Sequence, residues 1–172
     1  LPSGTIVVTN SAPTGWADTS GWKLVLERTV QPPEGDSAAF GDPYDIVVLD
    51  APCSSTGTMR RHPDLAHLKS ASQIDKLLGI QRDMLREAAR RTKPGGSLLY
   101  CVCSLLAEEG EQQAVDFLAG EPRFSLRPGR PEDVGNPPHF LTAEGYLRTL
   151  PCMPISPHQG LDGFFAAHFV RH

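Results

Sequence analysis

Tyr44-Asp45-Ile46-Val47-Val48-Leu49-Asp50-Ala51-Pro52-Cys53-Ser54-Ser55-Thr56-Gly57 reads as a strand that delivers a polar loop. The run up to Leu49 is largely apolar and β-branched, and Pro52 and small polar residues halt it. This pattern predicts a buried strand ending at Asp50. In an open α/β sheet, ligands bind beyond the carboxyl ends of the strands. An acid, a thiol and several hydroxyls therefore stand where a parallel sheet places chemistry. About fifty residues later, Ser97-Leu98-Leu99-Tyr100-Cys101-Val102-Cys103-Ser104 again carries an apolar strand into a thiol and a hydroxyl.

The clearest helix lies between them, over 72–91. Ile74, Leu77, Leu78, Leu85 and Ala88 follow helical spacing, with Met84 beside them. Ser72 with Asp75 resembles an N-terminal cap. Arg86, Arg90 and Arg91 suit the negative end of the helix dipole, and Lys93-Pro94-Gly95-Gly96 stops the helix. Strand, helix and strand together predict a βαβ unit with parallel strands. Upstream, 4–10 reads as a short strand, 22–30 is undecided between helix and strand, and 31–36 is a loop. Downstream, 108–120 reads as a second helix, with acids in its first turn and Val115, Phe117 and Leu118 as apolar contacts. Strands are expected at 124–126, 146–150 and 163–170. A Pro-rich connection fills 127–145, and a loop at 151–162 holds Cys152 and His158.

A chain of 172 residues fits a single domain, 1–172, with a sizeable core. Its apolar and charged fractions, 40% and 21%, are those of a soluble globular protein. No apolar run approaches the roughly 18 residues of a membrane span, and the opening residues lack a secretory leader pattern. The chain opens on Leu1 rather than Met, which reads as a fragment or a processed product. A net charge of −4 gives no overall footprint for nucleic acid. Locally, Arg60, Arg61 and His62 follow the thiol loop and suit phosphates, although a solvated loop reads equally well. Cys53, Cys101, Cys103 and Cys152 form no C-x-x-C pair and no spaced Cys/His set, so no metal site is expected. Free thiols in a reducing cytosol, and hence a cytoplasmic location, are the expectation.

Three ordered segments resemble one family. Asp50-Ala-Pro-Cys-Ser-Ser-Thr-Gly-Thr-Met-Arg-Arg-His-Pro-Asp64 resembles the fourth motif of the RsmB/Sun (NSUN) RNA cytosine-5 methyltransferases. Lys93-Pro-Gly-Gly-Ser-Leu-Leu-Tyr-Cys-Val-Cys-Ser-Leu-Leu-Ala-Glu-Glu-Gly-Glu-Gln-Gln113 resembles the sixth, and Leu161-Asp-Gly-Phe-Phe-Ala-Ala167 is similar to the closing strand. The resemblance runs from about Tyr44 to Arg171. It implies an α/β, class I (Rossmann-like) methyltransferase sheet with helices on both faces, here without its first strand. It implies S-adenosyl-L-methionine as cofactor and RNA as partner, ribosomal RNA first with transfer RNA as an alternative. Carried over by position, Cys103 is the nucleophile, Cys53 assists release of the product, and Asp50 lies between cofactor and target base. Asp50, Pro52, Asn10 and Asp36 are the implied cofactor contacts, and Arg60, Arg61 and His62 the implied RNA contacts. Asn10 stands where the family's second strand usually ends in an acid for the cofactor ribose, and no Gly-rich turn precedes Gly4. Val102 replaces the family's usual Thr, and Gly110 stands where Asn is common.

This chemistry needs two thiols. Carbon 5 of cytosine is too weak a nucleophile to attack a methyl sulfonium unaided. A thiolate added to carbon 6 makes carbon 5 enamine-like and divides one hard step into easier ones. A second acid/base group nearby then serves elimination. Cys101 is expected to be a core thiol, Cys152 a loop residue, Lys93 a helix-end cap, and Phe164 and Phe165 core. The rival reading is a degenerate, non-catalytic domain serving as an RNA- or protein-binding module. A small-molecule methyltransferase is more distant, because paired thiols have no use in oxygen or nitrogen methylation.

Overall fold

The computed structural model of the protein describes residues 5–9, 28–30, 43–65, 70–135, 138–156 and 159–172. Asn10, Asp36 and His158 lie outside them. The chain runs through strands β1 (Thr5–Thr9), β2 (Arg28–Val30) and β3 (Tyr44–Asp50), helix α1 (Ala71–Arg91), strand β4 (Thr92–Val102) and helix α2 (Glu111–Gly120). Strands β5 (Phe124–Leu126), β6 (Leu147–Thr149), β7 (Pro154–Ser156), β8 (Gln159–Gly160) and β9 (Phe164–Arg171) complete it. The main sheet has the order β2-β1-β3-β4-β9-β5, with β6 also on β9, while β7 and β8 form a separate pair. Segment 22–30 contributes only the strand β2 to the described residues.

The strand at 44–50 and the helix that follows form as their patterns predict. Val47, Leu49, Leu98, Tyr100 and Val102 are fully buried at the sheet centre. Complete burial of such side chains contributes roughly 1.5–3 kcal/mol each, before entropy is counted. Parallel pairing of β3 with β4 requires a crossover, and α1 supplies it. Helix α1 buries Gln81, Met84, Leu85, Ala88 and Ala89, a stripe at helical spacing that faces β3 and β4. Its cap differs from the expected Ser72–Asp75 pair. The cap lies two residues earlier, at Ser70, whose N–H donates to Gln73 Oε1 at 2.9 Å. At the other end Lys93 does not cap the helix; its Nζ lies 3.2 Å from Asp45 on β3. Gly95, near the start of β4, stands at φ 78°, a conformation that favours glycine.

The sheet is mixed. Among the described residues, only β3 and β4 pair in parallel; β1 pairs with β3, and β9 with β4, in antiparallel fashion. Helix α2 starts at Glu111, so Glu108 and Glu109 belong to the turn before it rather than to its first turn. Its core contacts are Ala114 and Phe117, while Val115 is exposed. Phe117 packs on Phe124 of β5 and Phe169 of β9, with ring centroids 5.2 and 4.8 Å apart. Helices α1 and α2 contact each other and so lie on the same face of the sheet. Phe165 is fully buried, as the core reading expects.

Candidate active site

The parallel register of β3 and β4 sets Asp50 opposite Cys101. Both strands therefore end at the same level, and the loops beyond them meet. The loop after β3 folds back over the end of β4. Ala51 N–H donates to the Cys101 carbonyl at 3.0 Å, and Gly57 N–H to the Cys103 carbonyl at 3.1 Å. Between these anchors, Cys53 Sγ lies 3.4 Å from Cys103 Sγ, although the two residues are fifty apart in sequence. The loop makes this reversal through Ser55, whose φ of 59° is left-handed for a residue other than glycine. Such strain costs of the order of 1–3 kcal/mol and persists where surrounding contacts impose it.

Those contacts come from both sides. Gly163, just before β9, donates its N–H to the Gly57 carbonyl at 2.8 Å. A Cβ at Gly57 would stand 1.9 Å from the Gly163 carbonyl oxygen, so this approach requires glycine. Beneath the loop, Glu109 is completely buried. It accepts from Ser54 N–H at 2.9 and 3.2 Å, from Ser54 Oγ–H at 2.6 Å and from Gln81 Nε2–H at 3.1 Å. Gln81, in the buried stripe of α1, also donates to the Pro52 carbonyl at 2.9 Å. Ser104 Oγ joins Ser54 and Thr56 at 3.2 and 3.1 Å. Arg148 of β6 donates to the Ser104 carbonyl at 2.6 Å, pairs with Glu111, and lies 4.9 Å over the Phe165 ring. Gly110 accommodates it, because a Cβ there would fall 2.5 Å from Arg148 Nη2. The departure from Asn at that position thus leaves room for a buried guanidinium. Val102, which replaces the usual Thr, is a core residue.

The two thiols are electrostatically unequal. The hydrogen bond from the Cys53 thiol makes Cys103 more acidic than an ordinary thiol, against a smaller opposing effect of burial. The hydrogen bond between Cys103 Sγ and Ser55 Oγ, 3.6 Å apart, also favours the Cys103 thiolate. The hydrogen bond between the two thiols, reinforced by burial, pushes Cys53 well above the ordinary thiol range. Cys103 is the half-buried member of the pair and Cys53 the buried one. A thiolate beside a thiol donor is the form needed for nucleophilic attack. Burial raises the carboxyl of Asp50. Cys101 is buried, which pushes its thiol up to about 12, in keeping with a core role. Cys152 is exposed, on the loop expected for it.

Arg60, Arg61 and His62 are exposed beyond the thiol loop. The two arginines share a partner that the sequence did not suggest. Asp162 Oδ2 accepts from Arg61 Nε at 2.8 Å, and its Oδ1 lies 3.8 Å from Arg60.

The family model described as 16S rRNA methyltransferase RsmB/F matches residues 24–170. The chain belongs to this family. A ribosomal RNA small subunit methyltransferase B of Pectobacterium carotovorum is 36% identical over 154 residues, covering 87% of this chain and 32% of the relative. The corresponding protein of Thermus thermophilus is 41% identical over 125 residues, covering 73% and 29%. A solved structure titled as NSun6 from Pyrococcus horikoshii with SFG superimposes with a TM-score of 0.56 at 26% identity, covering 78% of this chain and 32% of that one. This RsmB/F-family chain thus spans about three-tenths of the length of the curated relatives it matches. The likeness supports an α/β, Rossmann-like methyltransferase fold. Of the residues singled out from sequence, the structure brings Asp50, Pro52, Cys53 and Cys103 to one strand end and leaves Arg60, Arg61 and His62 on its rim. It adds Glu109, Gln81 and Arg148, which the sequence reading passed over, and places Ser104 of the second Cys-Ser pair among them.

Proposed function

We propose that this chain carries the catalytic centre of an RNA cytosine-5 methyltransferase acting on ribosomal RNA. The observation that supports the reading most is the thiol pair: two sulfurs 3.4 Å apart at the ends of adjacent parallel strands. Only one of them is made acidic. In this reading the Cys103 thiolate adds to carbon 6 of a cytosine that is single-stranded or turned out of its stack. The new carbon–sulfur bond displaces the ring's electron pair toward carbon 5. S-adenosyl-L-methionine, when bound, supplies the methyl sulfonium that alkylates that carbon. Loss of the carbon 5 proton to a base then returns the bonding pair to Cys103. Cys53, held as the thiol, stabilises the departing thiolate by donating to it. Asp50 offers a carboxyl group at the same strand end, whose burial favours a shared proton and suits hydrogen bonding to the cytosine edge.

Asp50 and Pro52 border the space beyond β3, and a carboxylate there fits the amino and hydroxyl donors of a nucleoside. The SFG of the archaeal relative is an analogue of S-adenosyl-L-methionine, which supports that cofactor here. Asn10 and Asp36 remain proposed contacts by resemblance alone. Arg60, Arg61 and His62 would meet the RNA backbone, with Asp162 holding the arginines until phosphate competes for them. The intact and polarised thiol pair favours catalysis over a degenerate binding module. The test is nucleoside analysis of unmodified small-subunit ribosomal RNA after incubation with protein and labelled S-adenosyl-L-methionine. Label in 5-methylcytidine is expected; label confined to other nucleosides, or none, contradicts the proposal.

A further inference from the structure

We propose that Glu109 is a positioning residue that acts through Ser54 and Cys53 to hold the thiol donor on Cys103. This rests on Cys103 being the attacking group. Glu109 is fully buried, yet it touches neither sulfur through a hydrogen bond. All its side-chain partners are donors: the Ser54 N–H and Oγ–H, and Gln81 Nε2–H. That arrangement suits a carboxylate and is wrong for an amide, which would turn a donor toward a donor. Ser54 follows Cys53 directly, and its backbone N–H belongs to the peptide that joins them. Fixing that N–H at 2.9 Å fixes the carbonyl end of Cys53 and the direction of its side chain. Glu109 itself is anchored from the β4 side, where Tyr100 Oη–H donates to its carbonyl at 2.6 Å. One buried side chain therefore ties the loop after β3 to the turn after β4, and the two thiols are borne on either side of that tie. Ser54 Oγ and Thr56 Oγ1 reach Ser104, the neighbour of Cys103, and brace the same junction.

Position and charge make opposite predictions here. The charged and titratable groups around Cys103 are Cys53 and Asp50 from β3 and its loop, and Arg61 beyond it. Glu109 and Tyr100 act on Cys53 from the other side. Removing a nearby negative charge makes a thiol more acidic. Displacing the Cys53 donor makes Cys103 less acidic. The direction of change thus separates a carboxylate that merely contributes a field from one that holds the donor in place.

The experiment measures the pH midpoint of Cys103 alkylation by iodoacetamide, read by peptide mapping, in Glu109→Gln, Glu109→Asp and Ser54→Ala. The same changes are made on a Cys53→Ala background. In Glu109→Gln the midpoint is expected to rise by one pH unit or more. Glu109→Asp keeps the charge and is expected to restore part of the shift. On the Cys53→Ala background, Glu109→Gln is expected to move the midpoint by less than about 0.3, because the donor it positions is gone. If Glu109→Gln does not fold, as judged by thermal melting, Ser54→Ala replaces it, with a smaller rise expected. A midpoint that stays or falls in the folded variant overturns the proposal, as does an equal rise without Cys53. The readout needs no RNA and no methyl donor, so its failure leaves the methyltransferase reading standing, and the reverse also holds.

Discussion

Cys103→Ala is expected to abolish methylation while leaving the fold intact. Replacing Sγ by hydrogen removes the atom proposed to add to carbon 6, and in that reading carbon 5 remains unactivated. Removing a covalent nucleophile costs on the order of 10⁴-fold or more in turnover. The side chain is half-buried and packs against the edge of the core rather than within it. Its truncation is therefore expected to change stability by no more than about 1 kcal/mol. Turnover measured by incorporation of labelled methyl groups, with the denaturation midpoint measured alongside, checks both halves. A variant that keeps a tenth of the activity is incompatible with covalent attack by this sulfur.

Cys53→Ala is expected to do something different. It removes the principal donor to the Cys103 thiolate, the hydrogen bond that holds this thiol below its ordinary range. Without that hydrogen bond, Cys103 returns toward the ordinary thiol value of about 8.5. The sign follows from the charge state: the donor stabilises the thiolate, so its loss moves the onset of reactivity to higher pH. The rate at one fixed pH understates the effect. A more basic thiolate is also a better nucleophile, with a Brønsted slope of about 0.4–0.5, which returns part of the loss. The midpoint of the pH–alkylation profile is therefore the quantity to measure. The same variant lacks the thiol proposed to assist elimination, so the adduct between Cys103 and RNA is expected to persist after methyl transfer. An RNA–protein complex stable to denaturing electrophoresis in Cys53→Ala, and scarce in the parent protein, is the second signature.

Local patterns carried much of the architecture. The run at 44–50 and the apolar spacing within 71–91 specify a strand and a helix through contacts a few residues apart, and a parallel β3–β4 pair follows from the crossover they require. Once that register is known, the two Cys-Ser sequences must meet. The mixed direction of the sheet was less visible, because short strands such as β1 carry no mark of which way they run. Buried polar residues were the main loss. Gln81 lies in the core stripe of α1 but reads as a solvent-facing helix residue. Glu109 stands in an acidic run that reads as the start of a helix, whereas it turns inward to the Ser54 amide. Burial of an acid becomes legible only when the donors that satisfy it are known, and these come from segments 28 and 55 residues away. Lys93 and Val115 were misread for a related reason. A single lysine at a helix end, or a single valine within a short helix, fits several environments, and tertiary packing decided for Asp45 and for solvent, respectively.

In the proposed mechanism Cys103, with Cys53 as its donor, forms the bond to RNA. Fluorine at carbon 5 of cytosine blocks the proton loss that elimination requires, so RNA containing 5-fluorocytidine should hold the protein in its covalent state. The most direct measurement is mass spectrometry of the nuclease- and protease-digested complex to locate the modified residue. A covalent bond through Cys103 predicts a nucleotide on the peptide containing Cys103, and no complex in Cys103→Ala. A nucleotide on Cys53 or Cys101, or a complex that survives in Cys103→Ala, would contradict it.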